Sequence, residues 1–177
     1  MSLERTAAEI SRIPKTADET RVSSAVFGKD SSRIGPATWR DFPGVWRLEK
    51  LCFGQDAWPA PDVFSALLWP GVVRLKAESG GTLVGFVAAD SRPGGGFAWI
   101  TTIGVHPGHR RQGIAEHLLR ACESRLKSER VRLTVRAGNL AAIHLYQNLG
   151  YQQIDTWQQY YVNGEDGVVM EKWIRVF

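Results

Sequence analysis

The chain has only two cysteines, too few for a disulfide framework or a four-thiolate metal centre. Cys52 and Cys122 both fall in apolar, helix-like settings, which reads as core thiols in a reducing cytoplasm. No apolar run approaches the roughly 18 residues that cross a bilayer; Val84 to Ala89 is typical of the longest, and the first 25 residues carry charges throughout, so neither a membrane anchor nor secretion is expected. There is no internal repeat and no low-complexity tract, which excludes solenoid and fibrous architectures. The four histidines, His106, His109, His117 and His144, lack the paired spacing of a metal site, and no metal is assigned. Neither a Walker loop nor a three-glycine dinucleotide fingerprint is present, which disfavours ATP and NAD chemistry.

What remains is a folded domain. The 177 residues suit one core, with 44% apolar and 23% charged residues. A net charge of +4 favours an anionic ligand, but the 22 basic residues are spread along the chain, unlike the one-sided clustering of nucleic-acid binders. Residues 1–35 are polar and read as an extension. Leu3, Ala7, Ile10 and Ile13 at helical spacing before Pro14 allow either a short amphipathic helix or a loosely held tail. Residues 36–177 form the domain.

Thr38 and Asp41 offer caps for a helix running to about Phe53, and Pro61-Asp62 opens a second, Val63 to Trp69. Three strand-like segments follow, Val72 to Glu78, Leu83 to Ala89 and Phe97 to Val105, separated by glycine-rich turns as in an antiparallel meander. Helical spacing returns from Gly113 to about Lys127, then strict alternation at Val131, Leu133 and Val135. This strand, helix, strand unit implies one parallel pairing across a crossover. Asn139 caps a further helix ended by Gly150, and two strands close the chain, Tyr151 to Gln158 and Val168 to Ile174. The result is a mixed α/β sheet.

The segment Ile103-Gly104-Val105-His106-Pro107-Gly108-His109-Arg110-Arg111-Gln112-Gly113-Ile114-Ala115 ends a strand, turns, and opens a helix. A helix start presents unpaired N–H groups and a partial positive charge, Gly113 and Ala115 let the backbone approach closely, and the arginines add screening charge. Such a cradle fits a pyrophosphate. A purely structural helix start shares the same spacing.

Arg110-Arg111-Gln112-Gly113-Ile114-Ala115 resembles the acetyl-CoA signature of the GNAT acetyltransferase superfamily, Arg/Gln-x-x-Gly-x-Gly/Ala. Asn139-Leu140-Ala141-Ala142-Ile143-His144-Leu145-Tyr146, closed by Gly150-Tyr151, resembles its second block, Asn-x-x-Ala-x-x-Leu-Tyr with an aromatic stop. Tyr160-Tyr161-Val162-Asn163-Gly164-Glu165-Asp166 is similar to the ending of protein N-terminal acetyltransferases, including the bacterial ribosomal-protein alanine type. The resemblance covers residues 36–177. It implies a mostly antiparallel sheet of about seven strands flanked by about four helices, splayed where acetyl-CoA binds.

Carried over, the resemblance implies that Ile103, Gly104 and Val105 offer backbone groups to the pantetheine arm and the thioester oxygen. Arg110, Arg111, Gln112, Gly113, Ile114, Ala115 and Glu116 would hold the pyrophosphate, and Asn139 would contact the cofactor besides capping its helix. Tyr146 stands where the family's general acid protonates the departing thiolate, although a Tyr packed on a helix face has the same spacing. Tyr160 and Tyr161 would clamp the substrate backbone, with Phe53 and Trp58 shaping the pocket from the other side.

The general base departs from the pattern. Thr134 occupies the place of a Glu or His, and a hydroxyl does not accept a proton at neutral pH. An α-amine, with a pKa of about 7.7–8.0, needs less help than a lysine at about 10.4. Thr134 would position a water; Asp56, in the loop between the first two helices, is the favoured candidate for a direct base, with Glu49 the other. The implied activity is acetyl transfer from acetyl-CoA to the N-terminal α-amine of a protein or peptide, ribosomal proteins among the candidates, by direct attack in a ternary complex. Acetylation of a small-molecule amine, or a CoA-binding regulatory module without catalysis, stays open. The expected protein is cytoplasmic, a monomer or homodimer, without nucleic-acid or membrane partners.

Overall fold

Alternating burial along extended segments sets the architecture. In the computed structural model, which describes residues 26–27, 32–91 and 96–174, the strands are β1 (Val26–Phe27), β2 (Ser32–Pro36), β3 (Val72–Ser79), β4 (Thr82–Ser91), β5 (Ala98–Val105), β6 (Arg130–Arg136), β7 (Gln152–Trp157) and β8 (Gly167–Trp173). They form one open sheet in the order β1-β2-β3-β4-β5-β6-β8-β7. Seven are of ordinary length, and β1 is a two-residue edge. Every pairing is antiparallel except β5 with β6, the parallel pair that the strand, helix, strand pattern demands.

The helices are α1 (Phe42–Phe53), α2 (Ala60–Leu68), α3 (Ile114–Glu123) and α4 (Leu140–Asn148). One face of the sheet packs on α1 and α2 through Val45, Leu48, Val63, Leu67, Phe86 and Ala88. The other buries Leu75, Val87, Ile100, Leu118, Leu119, Leu133, Tyr151 and Met170, chiefly under α3 and α4. β4 lies between these layers, so its central residues are apolar on both faces and read as a continuous run. At Gly85 a Cβ would stand 2.9 Å from Leu118 Cδ1, which is how closely α3 lies on the sheet.

The sheet begins earlier than composition suggested. Residues 32–35, assigned to the extension, belong to β2, where Arg33 pairs with Glu78 and Pro36 with Leu75. Ser32 and Ile34 are buried and Arg33 is exposed. With one large apolar residue in five, this strand owes its place to β3. The helix expected over residues 3–13 lies outside the described residues. The helix expected from Gly113 to Lys127 ends at Glu123 and continues as a turn that buries Leu126.

Two irregularities shape the centre. Between β4 and β5 the register skips so that Ala88 faces Thr102 and Ala89 faces Ile100, leaving Thr101 as a bulge whose Oγ1 donates to the Ala88 carbonyl at 3.1 Å. Pairing of β5 with β6 stops at the same level, Ile100 opposite Leu133, although β5 continues to Val105 and β6 to Arg136. Beyond that point the two strands diverge.

Candidate active site

The wedge between β5 and β6 opens into a cavity of about 1240 Å³. Its lining contains Ile103, Gly104 and Val105 from the diverging part of β5, and Leu133, Thr134, Val135 and Arg136 from β6. Because the ladder with β6 has ended, the β6-facing polar groups of β5 are available to a ligand lying between the strands. Of these, Ile103, Gly104, Val105 and Thr134 are the residues the sequence singled out.

Below it lies the loop into α3. Arg111 has φ +64° and Gly113 φ +79°, and Gly113 serves as N-cap without a side chain to accept the first N–H groups of the helix. The amides of α3's first turn therefore face the cavity uncapped, as an anion requires. Glu116 does not oppose this, since its carboxylate accepts from Arg120 at 2.9 Å. Arg110 donates from Nε to the Val105 carbonyl at 3.2 Å, tying the loop to the strand. Arg110, Arg111, Gly113, Ile114, Ala115 and Glu116 all line the cavity. Gln112 is not among the lining residues. The cradle's shape and donors fit a pyrophosphate.

Asn139 accepts from the Ala142 N–H at 3.2 Å, so it is a helix cap, and it also lines the cavity. Tyr146 is buried on α4, its ring 5.8 Å from that of Tyr151, and reaches the wedge. Burial, with a smaller contribution from Tyr161, pushes its phenol well above the usual range, so it enters any reaction protonated. Thr134 Oγ1 is buried without a hydrogen-bond partner among the described residues and is likewise on the cavity wall.

On the α1 side the mouth is aromatic. Phe53 and Trp58 line the cavity together with Tyr160 and Tyr161. The tyrosine rings meet edge to face at 5.1 Å, and Trp157 supports Tyr160 at 5.1 Å and stacks on Trp99 at 5.6 Å. Burial raises the Tyr161 phenol to about 12. The turn that carries the pair is fixed by Asp166, whose Oδ1 accepts from the Gln159 N–H at 2.8 Å, and by Glu165, whose Oε1 accepts from the Gly138 N–H at 2.7 Å.

Arg136 is the residue that sequence reasoning passed over. Its guanidinium binds Asp56 Oδ2, donates to Glu165 Oε2 at 2.5 Å and to Asn163 Oδ1 at 2.9 Å, and lies 4.3 Å from the Tyr161 ring centroid. Asp56, a candidate base from the sequence, is the ion-pair partner of Arg136. The available signal was the position of Arg136, next to Val135 at the open end of β6. Glu49 differs from Asp56. Its carboxylate is buried on α1, Oε1 accepts from Thr102 Oγ1 at 2.5 Å, and Oε2 has no partner among the described residues.

Comparisons with known proteins agree with this geometry. Residues 39–151 match the acetyltransferase (GNAT) family. Over 144 residues the chain is 37% identical to the N-alpha-acetyltransferase RimI of Mycobacterium tuberculosis, spanning 78% of this chain and 90% of that protein. Over 140 residues it is 32% identical to the N-alpha-acetyltransferase daf-31 of Caenorhabditis elegans, spanning 75% and 77%. The crystal structure of the ribosomal-protein-S18-alanine N-acetyltransferase from Escherichia coli superposes with a TM-score of 0.72 at 25% identity, covering 82% of this chain and 96% of that one.

Proposed function

The chain belongs to the acetyltransferase (GNAT) family, and from that premise we propose that it acetylates the N-terminal α-amine of a protein or peptide. The observation that carries this reading is the two-sided wedge. An anion cradle lies on one side of the diverging strands, and a mouth lined by aromatic side chains lies on the other.

Bound acetyl-CoA supplies an acetyl group already activated as a thioester. The backbone of Ile103 to Val105 aligns the acyl arm, and N–H groups there stabilise charge developing on the carbonyl oxygen. The loop from Arg110 through the first turn of α3 holds the pyrophosphate, and Asn139 borders the arm from α4. Tyr160 and Tyr161 hold the substrate's first peptide units against Phe53 and Trp58, which suits a small or apolar first residue. Asp56 anchors Arg136, and Arg136 fixes the turn bearing the tyrosines. Tyr146 O–H gives its proton to the departing sulfur, while Thr134 Oγ1 orients a water near the amine.

No helix is long and apolar enough to cross a membrane, among the described residues. With free thiols at Cys52 and Cys122, the working compartment is the reducing cytoplasm. Ribosomal proteins are the first substrates to screen, and neither nucleic acid nor membrane takes part.

Incubating the full chain with acetyl-CoA and a peptide library varied at the first residue, then locating the acetyl group by mass spectrometry, tests the reading. Acetylation confined to α-amines with a first-residue preference is expected. Acetyl-CoA binding without peptide modification would overturn it in favour of a small-amine substrate or a regulatory module.

A further inference from the structure

A buried carboxylate with one unoccupied oxygen needs a reason, because removing such a charge from water costs several kcal/mol unless it is paired. Glu49 is 3% exposed. The core beside it on that face is apolar, formed by Leu48, Val63, Leu67, Phe86 and Ala88. β5 contributes the Thr102 hydroxyl, which donates to Oε1, and the loop after α1 contributes the Trp58 backbone N–H, whereas the Cys52 thiol on the same helix donates to the Val105 carbonyl. Arg136 is bound to Asp56 and Glu165, and Arg110, which interacts with Cys52, donates its Nε–H to the Val105 carbonyl. Oε2 thus has no cation or donor of its own among the described residues.

The location matters as much as the burial. Thr102 lies just beyond the Thr101 bulge and two residues past the last β5–β6 pair, at the depth where the strands part. Through it, Glu49 is fixed at that depth on the α1 face and lines the cavity. The opposite face is filled by α3 and α4. On the α1 face the cavity is lined by Phe53 and Trp58 beside Glu49, which gives an amine a route to the acyl site.

The geometry points to Glu49 as the proton acceptor of the reaction, with Thr102 as its positioning residue; this rests on the α-amine reading above. The proton leaves the substrate nitrogen for Glu49 Oε2. The freed lone pair forms the C–N bond to the acetyl carbonyl, the C–S bond breaks, and the sulfur takes its proton from Tyr146 O–H. As the carbonyl re-forms, the nitrogen sheds its second proton, which returns through water to the Tyr146 phenolate; solvent then takes the proton from Glu49, so one proton is released per turnover and the charges close. Burial holds the Glu49 carboxyl above the usual carboxylate range against the opposing hydrogen bonds from Thr102 and Trp58. That brings it nearer the amine it must deprotonate.

The test compares the full-length native chain with Glu49→Gln and Thr102→Val, using an N-terminally unblocked peptide that the native chain acetylates. Glu49→Gln should lower kcat/KM about 100-fold at pH 7, with the defect shrinking above roughly pH 9, where the amine arrives neutral. Acetyl-CoA affinity by calorimetry should stay within about twofold, since base loss leaves cofactor binding intact. Thr102→Val should shift the acidic limb of the pH profile upward, because a hydrogen bond that favours the ionised carboxylate is lost. In the native chain, carbon NMR of the Glu49 carboxyl should show titration above the ordinary glutamate range. A Glu49→Gln enzyme with native kcat/KM and an unchanged pH profile would overturn the proposal and leave the α-amine reading standing. If the native chain acetylates a small amine and no peptide, that reading fails, and the same variants on that amine decide the role of Glu49.

Discussion

Arg136 on β6 and Asp56 after α1, 80 positions apart in the chain, form an ion pair across the mouth of the wedge. The same guanidinium holds Glu165, so one side chain links both walls of the substrate opening. Replacing it should loosen the clamp without touching the cofactor cradle. For Arg136→Gln, the peptide KM should rise about tenfold, equivalent to about 1.4 kcal/mol, at unchanged acetyl-CoA affinity. Steady-state kinetics with calorimetric titration checks both.

Asp56→Asn separates anchoring from proton transfer. An amide keeps part of the contact with Arg136 and is no base. The expected outcome is a modest rise in peptide KM, about two- to fivefold for loss of a partly exposed ion pair, and a turnover pH profile of native shape. A flattened profile would return Asp56 to the role of base.

Tyr146→Phe keeps the ring that packs 5.8 Å from Tyr151 and removes only the hydroxyl. Turnover should fall about 100-fold, the usual worth of a general acid, while acetyl-CoA affinity and Tm stay close to native. Unchanged turnover would remove this phenol from the mechanism.

Glu49→Gln should make the protein more heat-stable at neutral pH. Burial raises the folded-state pKa of Glu49 above its ordinary value of 4.5. The folded state therefore binds more protons than the unfolded chain between that value and the raised one, and stability falls as pH climbs through this window. The glutamine variant lacks that loss, so Tm curves of the two proteins should run together at low pH and separate above it. Parallel curves would show that the carboxylate carries no such cost.

Gly113→Ala probes the cradle. At φ +79° an added Cβ is strained, and its nearest neighbour would be His117 Cε1 at 3.4 Å. A non-glycine held in such a conformation costs on the order of 1–3 kcal/mol. Weaker acetyl-CoA binding and a lower Tm are expected together, measured by calorimetry and thermal unfolding.

Local sequence determined much of this protein. Gly113 opening α3, Asn139 capping α4, and the alternation of Val131, Leu133 and Val135 are each fixed by neighbours a few residues away, so the cradle, the parallel unit and the position of Tyr146 were legible from residue order alone. The tertiary structure decided what depends on partners far along the chain. β2, with Ile34 its one large apolar residue, becomes a strand only by pairing with β3. Asp56 looks like a free loop carboxylate until Arg136 arrives from β6, and Glu49 looks like an ordinary helix residue until α1 packs it against Thr102 at the bulge. Periodicity reports which side of an element is buried. It does not report which buried polar groups meet, because that is set by the register and packing of separate elements, which bring Glu49 to Thr102 and Asp56 to Arg136.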